Sequence, residues 1–335
     1  MYNSIINEIK SASSIIITAH KSPDGDSIGS SLGLYHFIKK LGIEVFICHP
    51  DPAPEYLMFL EDVENIKTMS NDNLEIEKLF DNSDLIFCLD YNATDRVGEG
   101  MQLLLEKSNA KKIMIDHHLN PQDFAFITVS ETSVCSTSQL ILELIEQSGN
   151  GEMLDEKIGT PLYLGILTDT GSFRFPSVQA RTHELLAKLL HAGVKHYVIH
   201  ETLNDNNTFD RLRLQGYALS QKMEILEDYN VALIWLSEEE LKKYNYKKGD
   251  TEGFVNIALS IKGIKAAIFF SERDGIIKMS FRSKGSENPV NVLASDHFNG
   301  GGHANASGGM SELTSEETLR KLKEVIPNYF SKNIN

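Results

Sequence analysis

The stretch Ser14-Ile15-Ile16-Ile17-Thr18-Ala19-His20-Lys21-Ser22-Pro23-Asp24-Gly25-Asp26 decides the fold of this chain. A short apolar run rich in isoleucine and bounded by turn residues reads as a fully buried strand. It ends at a histidine, and Pro23-Asp24-Gly25 then forces a turn from which Asp26 or Ser27 starts a helix. The arrangement recurs downstream. Asp90 closes Leu85-Ile86-Phe87-Cys88-Leu89, and Asp116-His117-His118 closes Ile113-Met114-Ile115. In an open parallel sheet, ligands bind beyond the carboxyl ends of the strands. These strands therefore deliver carboxylates and imidazoles to one crevice. Negative oxygens packed together are costly unless cations neutralise them, so the pattern points to a binuclear metal site.

Working outward, strands are expected at Ile15–Thr18, Glu44–Ile47, Leu85–Leu89 and Lys112–Ile115, with helical spacing from Ile28 to Leu41 and from Thr137 to Ile145. Alternating β and α units predict an α/β fold, a parallel sheet with helices on both faces. Gly29 and Gly33 allow close packing of the first helix. Residues 178–204 read as two helices punctuated by Ala192-Gly193, and Asn204-Asp205-Asn206-Asn207-Thr208 as a linker. Beyond it come a helix from about Phe209 to Ile225, a strand Asn230–Leu236, and a hairpin of Ile264–Phe270 and Ile276–Phe281 about Glu272-Arg273-Asp274-Gly275. A helical segment at Val290–Phe298, a glycine-rich loop at 300–309 and a helix from Ser315 to Tyr329 complete a smaller α+β domain. The expected division is 1–190 for the catalytic metal-binding domain, 191–210 for a helical linker and 211–335 for the substrate-binding domain.

The 335 residues suit two cores, and 41% hydrophobic with 24% charged residues is the composition of a soluble globular protein. No stretch approaches the roughly 20 apolar residues that span a bilayer, and Met1–Lys10 lacks a secretory layout. Cys48, Cys88 and Cys135 lie apart in apolar surroundings, which points to burial rather than to zinc or disulfides. A cytoplasmic location and no membrane association are expected. A net charge of −15 makes long duplex nucleic acid a poor partner, because gripping it draws on many Lys and Arg contacts to phosphate. A small phosphorylated ligand remains compatible where metals neutralise the site.

Each candidate has a plainer reading. Asp26 suits an N-cap and Asp24 a turn, and Asn92, Thr94 or Arg96 offer Asp90 a partner other than a metal. Asp169 ends the helical stretch Gly159–Thr168, where a negative charge opposes the helix dipole unless a cation is near. Together His20, Asp24, Asp26, Asp90, His117 and Asp169 make a carboxylate and imidazole set without thiolate, which suits Mn²⁺, with Mg²⁺ or Fe²⁺ as alternatives. Two such ions about 3.5–4 Å apart clamp in-line displacement at phosphorus. Downstream, Arg282-Ser283-Lys284 and Asn299-Gly300-Gly301-Gly302-His303 combine a guanidinium fork with glycines that let backbone N–H groups approach an anion.

In this order, these residues resemble the DHH–DHHA1 phosphoesterase family, over nearly the whole chain. Its motifs match His20–Gly29, Asp90, Asp116-His117-His118, Thr168-Asp169-Thr170-Gly171 and Gly300–Gly309. The layout looks most like the group of bifunctional oligoribonucleases and pAp phosphatases. The resemblance implies one metal on His20, Asp24 and Asp90, and a second on Asp26, Asp90, His117 and Asp169. It implies catalytic roles for Asp90, His117 and His118, with His118 facing the scissile phosphate and Asp116 orienting the histidines from behind. Arg282, Ser283, Gly300, Gly301, Gly302 and His303 would hold the substrate, with Arg96 and Arg174 as further phosphate contacts. Hydrolysis of very short RNA and of pAp is expected, and the family also implies a homodimer. The alternatives are a phosphodiesterase for pApA, pGpG or cyclic di-AMP, an inorganic pyrophosphatase or polyphosphatase, and a non-hydrolytic nucleotide sensor or tRNA-binding module.

Overall fold

A computed structural model describes residues 1–331, which divide into two compact units, Met1–Asp205 and the chain from Asn206 on. The first unit is built on six parallel strands, β1 (Ser14–Thr18), β2 (Glu44–His49), β3 (Lys67–Thr68), β4 (Leu85–Leu89), β5 (Lys111–Asp116) and β6 (Ile127–Ser130). They lie in the order β3-β2-β1-β4-β5-β6. Strand alternation sends Ile15, Ile17, Leu85, Phe87, Ile113 and Ile115 into one core, and Ile16, Ile86, Cys88 and Met114 into the other. Helices α1 (Tyr2–Ser11), α2 (Gly25–Lys40), α5 (Thr137–Ile145), α6 (Glu156–Asp169), α7 (Ala180–His191) and α8 (His196–Asn204) carry side chains of the first core. Helices α3 (Met69–Asn82) and α4 (Gly98–Lys107) close the second. Burial of one such aliphatic side chain contributes about 1.5–3 kcal/mol, so both faces need their helices. All three cysteines are buried and free.

Small residues set the approach of α2 to α6. A Cβ on Gly29 would stand 2.4 Å from the Pro161 carbonyl oxygen, and one on Gly33 would meet the Leu162 side chain at 2.4 Å. The segment 191–210, read from sequence as a linker, contains α8, whose Ile199 is buried in the first core.

The second unit holds a mixed sheet in the order β11-β12-β10-β9-β8-β7. Its strands are β7 (Met223–Leu226), β8 (Val231–Leu236), β9 (Ala266–Arg273), β10 (Ile276–Ser283), β11 (Gly301–His303) and β12 (Ala306–Ser311). Among the described residues of this unit, only β8 and β9 pair parallel. Its helices are α9 (Phe209–Gln221), α10 (Glu238–Lys243), α11 (Phe254–Leu259), α12 (Asn291–His297) and α13 (Ser315–Val325).

Two expectations need correction here. The helix expected to run to Ile225 stops at Gln221, because Met223–Leu226 pairs antiparallel with β8 as an edge strand. The glycine-rich segment at 300–309 is not a loop but the β11–β12 hairpin, whose backbone ladder with β10 substitutes for the side chains that glycine lacks. The β9–β10 hairpin turns on two residues, Asp274 and Gly275, both at positive φ (52° and 76°), as tight right-twisted hairpins require.

Candidate metal centre

Strand order reverses between β1 and β4, and there the carboxyl ends of β1, β4 and β5 open the crevice expected of such a switch point. β1 runs through Ala19 to His20, β4 into Asp90, and β5 ends at Asp116 before His117 and His118. α2 brings Asp24 and Asp26, and α6 ends on Asp169. Asp24, rather than Asp26, is the N-cap of α2. Its Oδ1 accepts from the N–H groups of Asp26 (3.0 Å) and Ser27 (3.1 Å), and that same oxygen lies 3.8 Å from His20 Nε2. The cap expected at Asp26 thus falls on Asp24, whose side chain both caps α2 and faces His20.

Asp90 is the hub. Its backbone is left-handed (φ 62°), a conformation Asp tolerates better than bulkier residues, and its N–H donates to the Ile115 carbonyl at 3.1 Å. Oδ2 lies 3.4 Å from His20 Nε2, and Oδ1 lies 3.6 Å from His117 Nε2. One carboxylate thus faces an imidazole on each side. His117 Nε2 is also 3.3 Å from Asp169 and 3.9 Å from Asp26. Both imidazoles are oriented from behind, His20 Nδ1 by the Lys21 carbonyl at 2.9 Å and His117 Nδ1 by the Val134 carbonyl at 3.3 Å. Such a contact fixes the tautomer and turns Nε2 toward the carboxylates. Asp116 contacts His118 twice, at Nδ1 (2.7 Å) and at the backbone N–H (3.0 Å).

Two residues that the sequence reading missed complete the centre. The N-terminus of α5 points at Asp26, with the N–H groups of Thr137 (2.7 Å) and Ser138 (2.9 Å) donating to its two oxygens. The Thr137 hydroxyl donates to Asp90 at 3.0 Å. Thr137 therefore takes the place expected for Asn92, Thr94 or Arg96. Asn92 instead donates to the Leu119 carbonyl at 2.6 Å, and Thr94 donates to Glu106 at 3.5 Å. The signal was present as Ser136-Thr137-Ser138 before an apolar helical run, an N-terminal signature, but nothing in it names Asp26 as the recipient.

Burial first, then the neighbouring carboxylates, raises the pKa values of Asp90 and Asp169 well above 3.8. Asp26 is raised as well, by burial and by Asp24, against the lowering influence of His117 and Ser138. Burial lowers the pKa of His117. Burial also acts to lower that of His118, but the Asp116 hydrogen bond and the charges of Asp90 and Asp116 raise it overall. Among the described residues, His20-Asp24-Asp90, Asp90-His117-His118 and Asp26-His117-Asp169 form three overlapping groups, and within each group one oxygen or nitrogen from every member lies within 4.8 Å of the others. Oxygen and imidazole donors crowded at a cost that a bound cation would relieve fit divalent metal ions.

In the second unit, Arg282 on β10 and His303 on β11 both pair with Ala306 of β12, so they share one face of the sheet across a small residue. Arg282 donates to the carbonyls of Phe281 (2.9 Å) and Ser307 (3.4 Å), and the buried Ser283 hydroxyl accepts from Asn305 at 2.8 Å. The three glycines differ. A Cβ on Gly300 would stand 2.1 Å from the Gly308 carbonyl oxygen and one on Gly302 (φ 134°) 2.7 Å from that of Ala306, whereas one on Gly301 would meet nothing within 4 Å. Gly300 and Gly302 are thus demanded by the hairpin itself. Arg174 donates to the Gly171 carbonyl at 2.6 Å.

The fold and this constellation define a class. Residues 14–166 match the DHH family, N-terminal domain, and residues 228–332 match the DHHA1 domain. The chain belongs to the DHH–DHHA1 family. It is 28% identical over 312 residues to the bifunctional oligoribonuclease and PAP phosphatase NrnA of Bacillus subtilis, with 92% of each chain covered. It is 40% identical to an exopolyphosphatase-related protein from Bacteroides fragilis, whose crystal structure superposes with a TM-score of 0.95 over 98% of this chain and 96% of that one. The cyclic-di-AMP phosphodiesterase GdpP of Geobacillus thermodenitrificans is 26% identical over 96% of this chain but only 48% of its own length.

Proposed function

We propose that this chain is a divalent-metal-dependent phosphoesterase that hydrolyses very short RNA to mononucleotides and dephosphorylates pAp to AMP. The observation that carries the reading is Asp90 between two oriented imidazoles, within a family whose relative NrnA is named for both activities. His20, Asp24 and Asp90 would hold one cation, and Asp26, Asp90, His117 and Asp169 a second. Such ions, with Mn²⁺ the best match to the donors, neutralise phosphate charge and acidify a water for in-line attack.

The chain's own groups do the positioning. The Thr137 hydroxyl and the α5 amides fix Asp90 and Asp26, so the carboxylates need no rearrangement when substrate arrives. Asp116 holds His118, whose raised pKa suits a hydrogen-bond donor to the charge that develops on the phosphoryl group. Arg282, Ser283, the Gly300–Gly302 backbone and His303 bind the nucleotide. A second reading, hydrolysis of cyclic di-AMP or linear dinucleotides, draws on the similarity to GdpP.

One substrate panel separates them. RNAs of two to five nucleotides, pAp, pApA, pGpG, cyclic di-AMP and pyrophosphate are incubated with the Mn²⁺-loaded protein, and the products are resolved. Mononucleotides from short RNA and AMP from pAp are expected. Turnover confined to cyclic di-AMP or to pyrophosphate would replace the reading, and intact ligands from a fully loaded protein would leave a nucleotide sensor.

A further inference from the structure

Outside the metal centre, the second unit presents a surface whose composition the proposed chemistry does not require. Phe209, Arg213 and Tyr217 recur at every fourth residue of α9; Phe209 and Arg213 are exposed, while Tyr217 is half-buried and rests against the core that holds Leu214 and Ala218. Tyr244, just after α10, joins them, its ring centroid 5.2 Å from that of Tyr217. The Arg213 guanidinium stands 5.8 Å from the centre of the Phe209 ring and 5.6 Å from that of Tyr244. The Lys243 ammonium lies 5.8 Å from the Tyr217 ring and 5.7 Å from Tyr244. Phe209 is 76% exposed.

A single ring in water needs no explanation, but three rings interleaved with two cations in one patch do. Aromatic faces receive bases and cations receive phosphates, which is how sequence-tolerant single-strand surfaces are made. A guanidinium between two rings also offers a planar face of its own. Carboxylates are present but already engaged. Glu240 accepts from the Tyr217 hydroxyl and pairs with Lys222 at 3.0 Å, and Asp210 lies 3.8 Å from Arg213 and accepts from Asn245 at 3.0 Å. Among the described residues, no carboxylate lies within ion-pair distance of Lys243. On a chain of net charge −15, two cations held against one exposed ring and two half-buried ones match a phosphodiester strand.

We infer that this face binds single-stranded RNA, with bases stacked on Phe209 and Tyr244 on either side of Arg213 and phosphates met by Arg213 and Lys243. The inference rests on short RNA being the substrate. It adds a reason for an oligonucleotide of several residues to bind more tightly than pAp, which has no further base to stack.

The test uses the full chain with the double substitution Phe209→Ala and Tyr244→Ala, beside the stacking-competent pair Phe209→Tyr and Tyr244→Phe. Binding of a fluorescein-labelled five-nucleotide RNA is followed by anisotropy in a chelator, where no hydrolysis occurs. The alanine variant should bind about 30-fold more weakly, the loss expected for two stacked bases at about 1 kcal/mol each, and the aromatic pair should bind like wild type. With Mn²⁺, the alanine variant should show a raised KM for the same RNA with unchanged kcat and unchanged pAp kinetics, and the aromatic pair, which keeps the packing of Tyr244 against the core, controls for any loss of stability. Equal affinity in the alanine variant overturns the inference, as does a KM for pAp that rises as much as that for RNA. A wild-type protein that binds the RNA through this face but never cleaves it would refute the proposed function and leave this surface standing. Hydrolysis with wild-type affinity in the alanine variant would do the reverse.

Discussion

Asp90 has an imidazole on each side and a buried threonine hydroxyl behind it, so its charge is tolerable only with positive partners. Asp90→Asn preserves the shape and the Thr137 contact while removing the charge. Turnover should fall about a thousandfold or more, some 4 kcal/mol of barrier, while the unfolding midpoint in chelator stays at or above that of wild type. A variant that keeps full, Mn²⁺-dependent activity would remove Asp90 from the centre. Asp116 acts at one remove. Asp116→Asn should lower activity about 10–100-fold and shift the pH profile toward acid, because the hydrogen bond that raises the His118 pKa is weakened. An unshifted profile would make Asp116 purely structural. Much at this scale was readable in advance, since His20, Asp90 and Asp116-His117-His118 each end an apolar strand. Thr137 and Ser138 were not, because they meet Asp26 across 111 and 112 residues of chain, a separation that only the folded sheet closes.

Among the elements, strands that are apolar on both sides announced themselves, and those held mainly by their neighbours did not. β3 is two residues long, β6 is half-exposed Ile-Thr-Val-Ser, and β7 continues the apolar spacing of α9 closely enough to read as more helix. β11 and β12 are the instructive case, since glycine disfavours strands and only the pairing with β10 makes them. Their glycines yield a separable prediction. Gly301→Ala places a methyl group in open space, so stability should hold, yet the KM for nucleotide should rise severalfold if the backbone there receives phosphate. Gly300→Ala drives a methyl group onto the Gly308 carbonyl and should destabilise the unit by about 1–3 kcal/mol. Stability and KM both unchanged in Gly301→Ala would take that backbone out of the substrate site.

For the whole molecule, two buried imidazoles outside the cluster work against stability in acid. Burial, with Lys157 adding to it, lowers His36 to about 4, and burial, with His20 adding to it, lowers His49 to about 3. Both are neutral in the folded protein and titrate near 6.5 when unfolded. Below pH 6.5 the unfolded chain therefore binds more protons, and stability should fall from about pH 6.5 toward pH 4, by on the order of 3 kcal/mol for each histidine. The raised carboxylates of the cluster act with the opposite sign, so the contribution is read as the difference between wild type and His49→Gln, and an identical pH dependence of the two unfolding midpoints from pH 7 to pH 5 would contradict the assignment. Above that range, the molecule's central demand is neutralisation of its clustered carboxylates. Equilibrium dialysis of the chelator-stripped protein against Mn²⁺, with metal and protein quantified in the same sample, tests this most directly. Two ions per chain in the wild type and at most one in Asp90→Asn are expected. A stoichiometry of zero or one in the wild type, or an unchanged count after loss of the Asp90 charge, would contradict the caged pair.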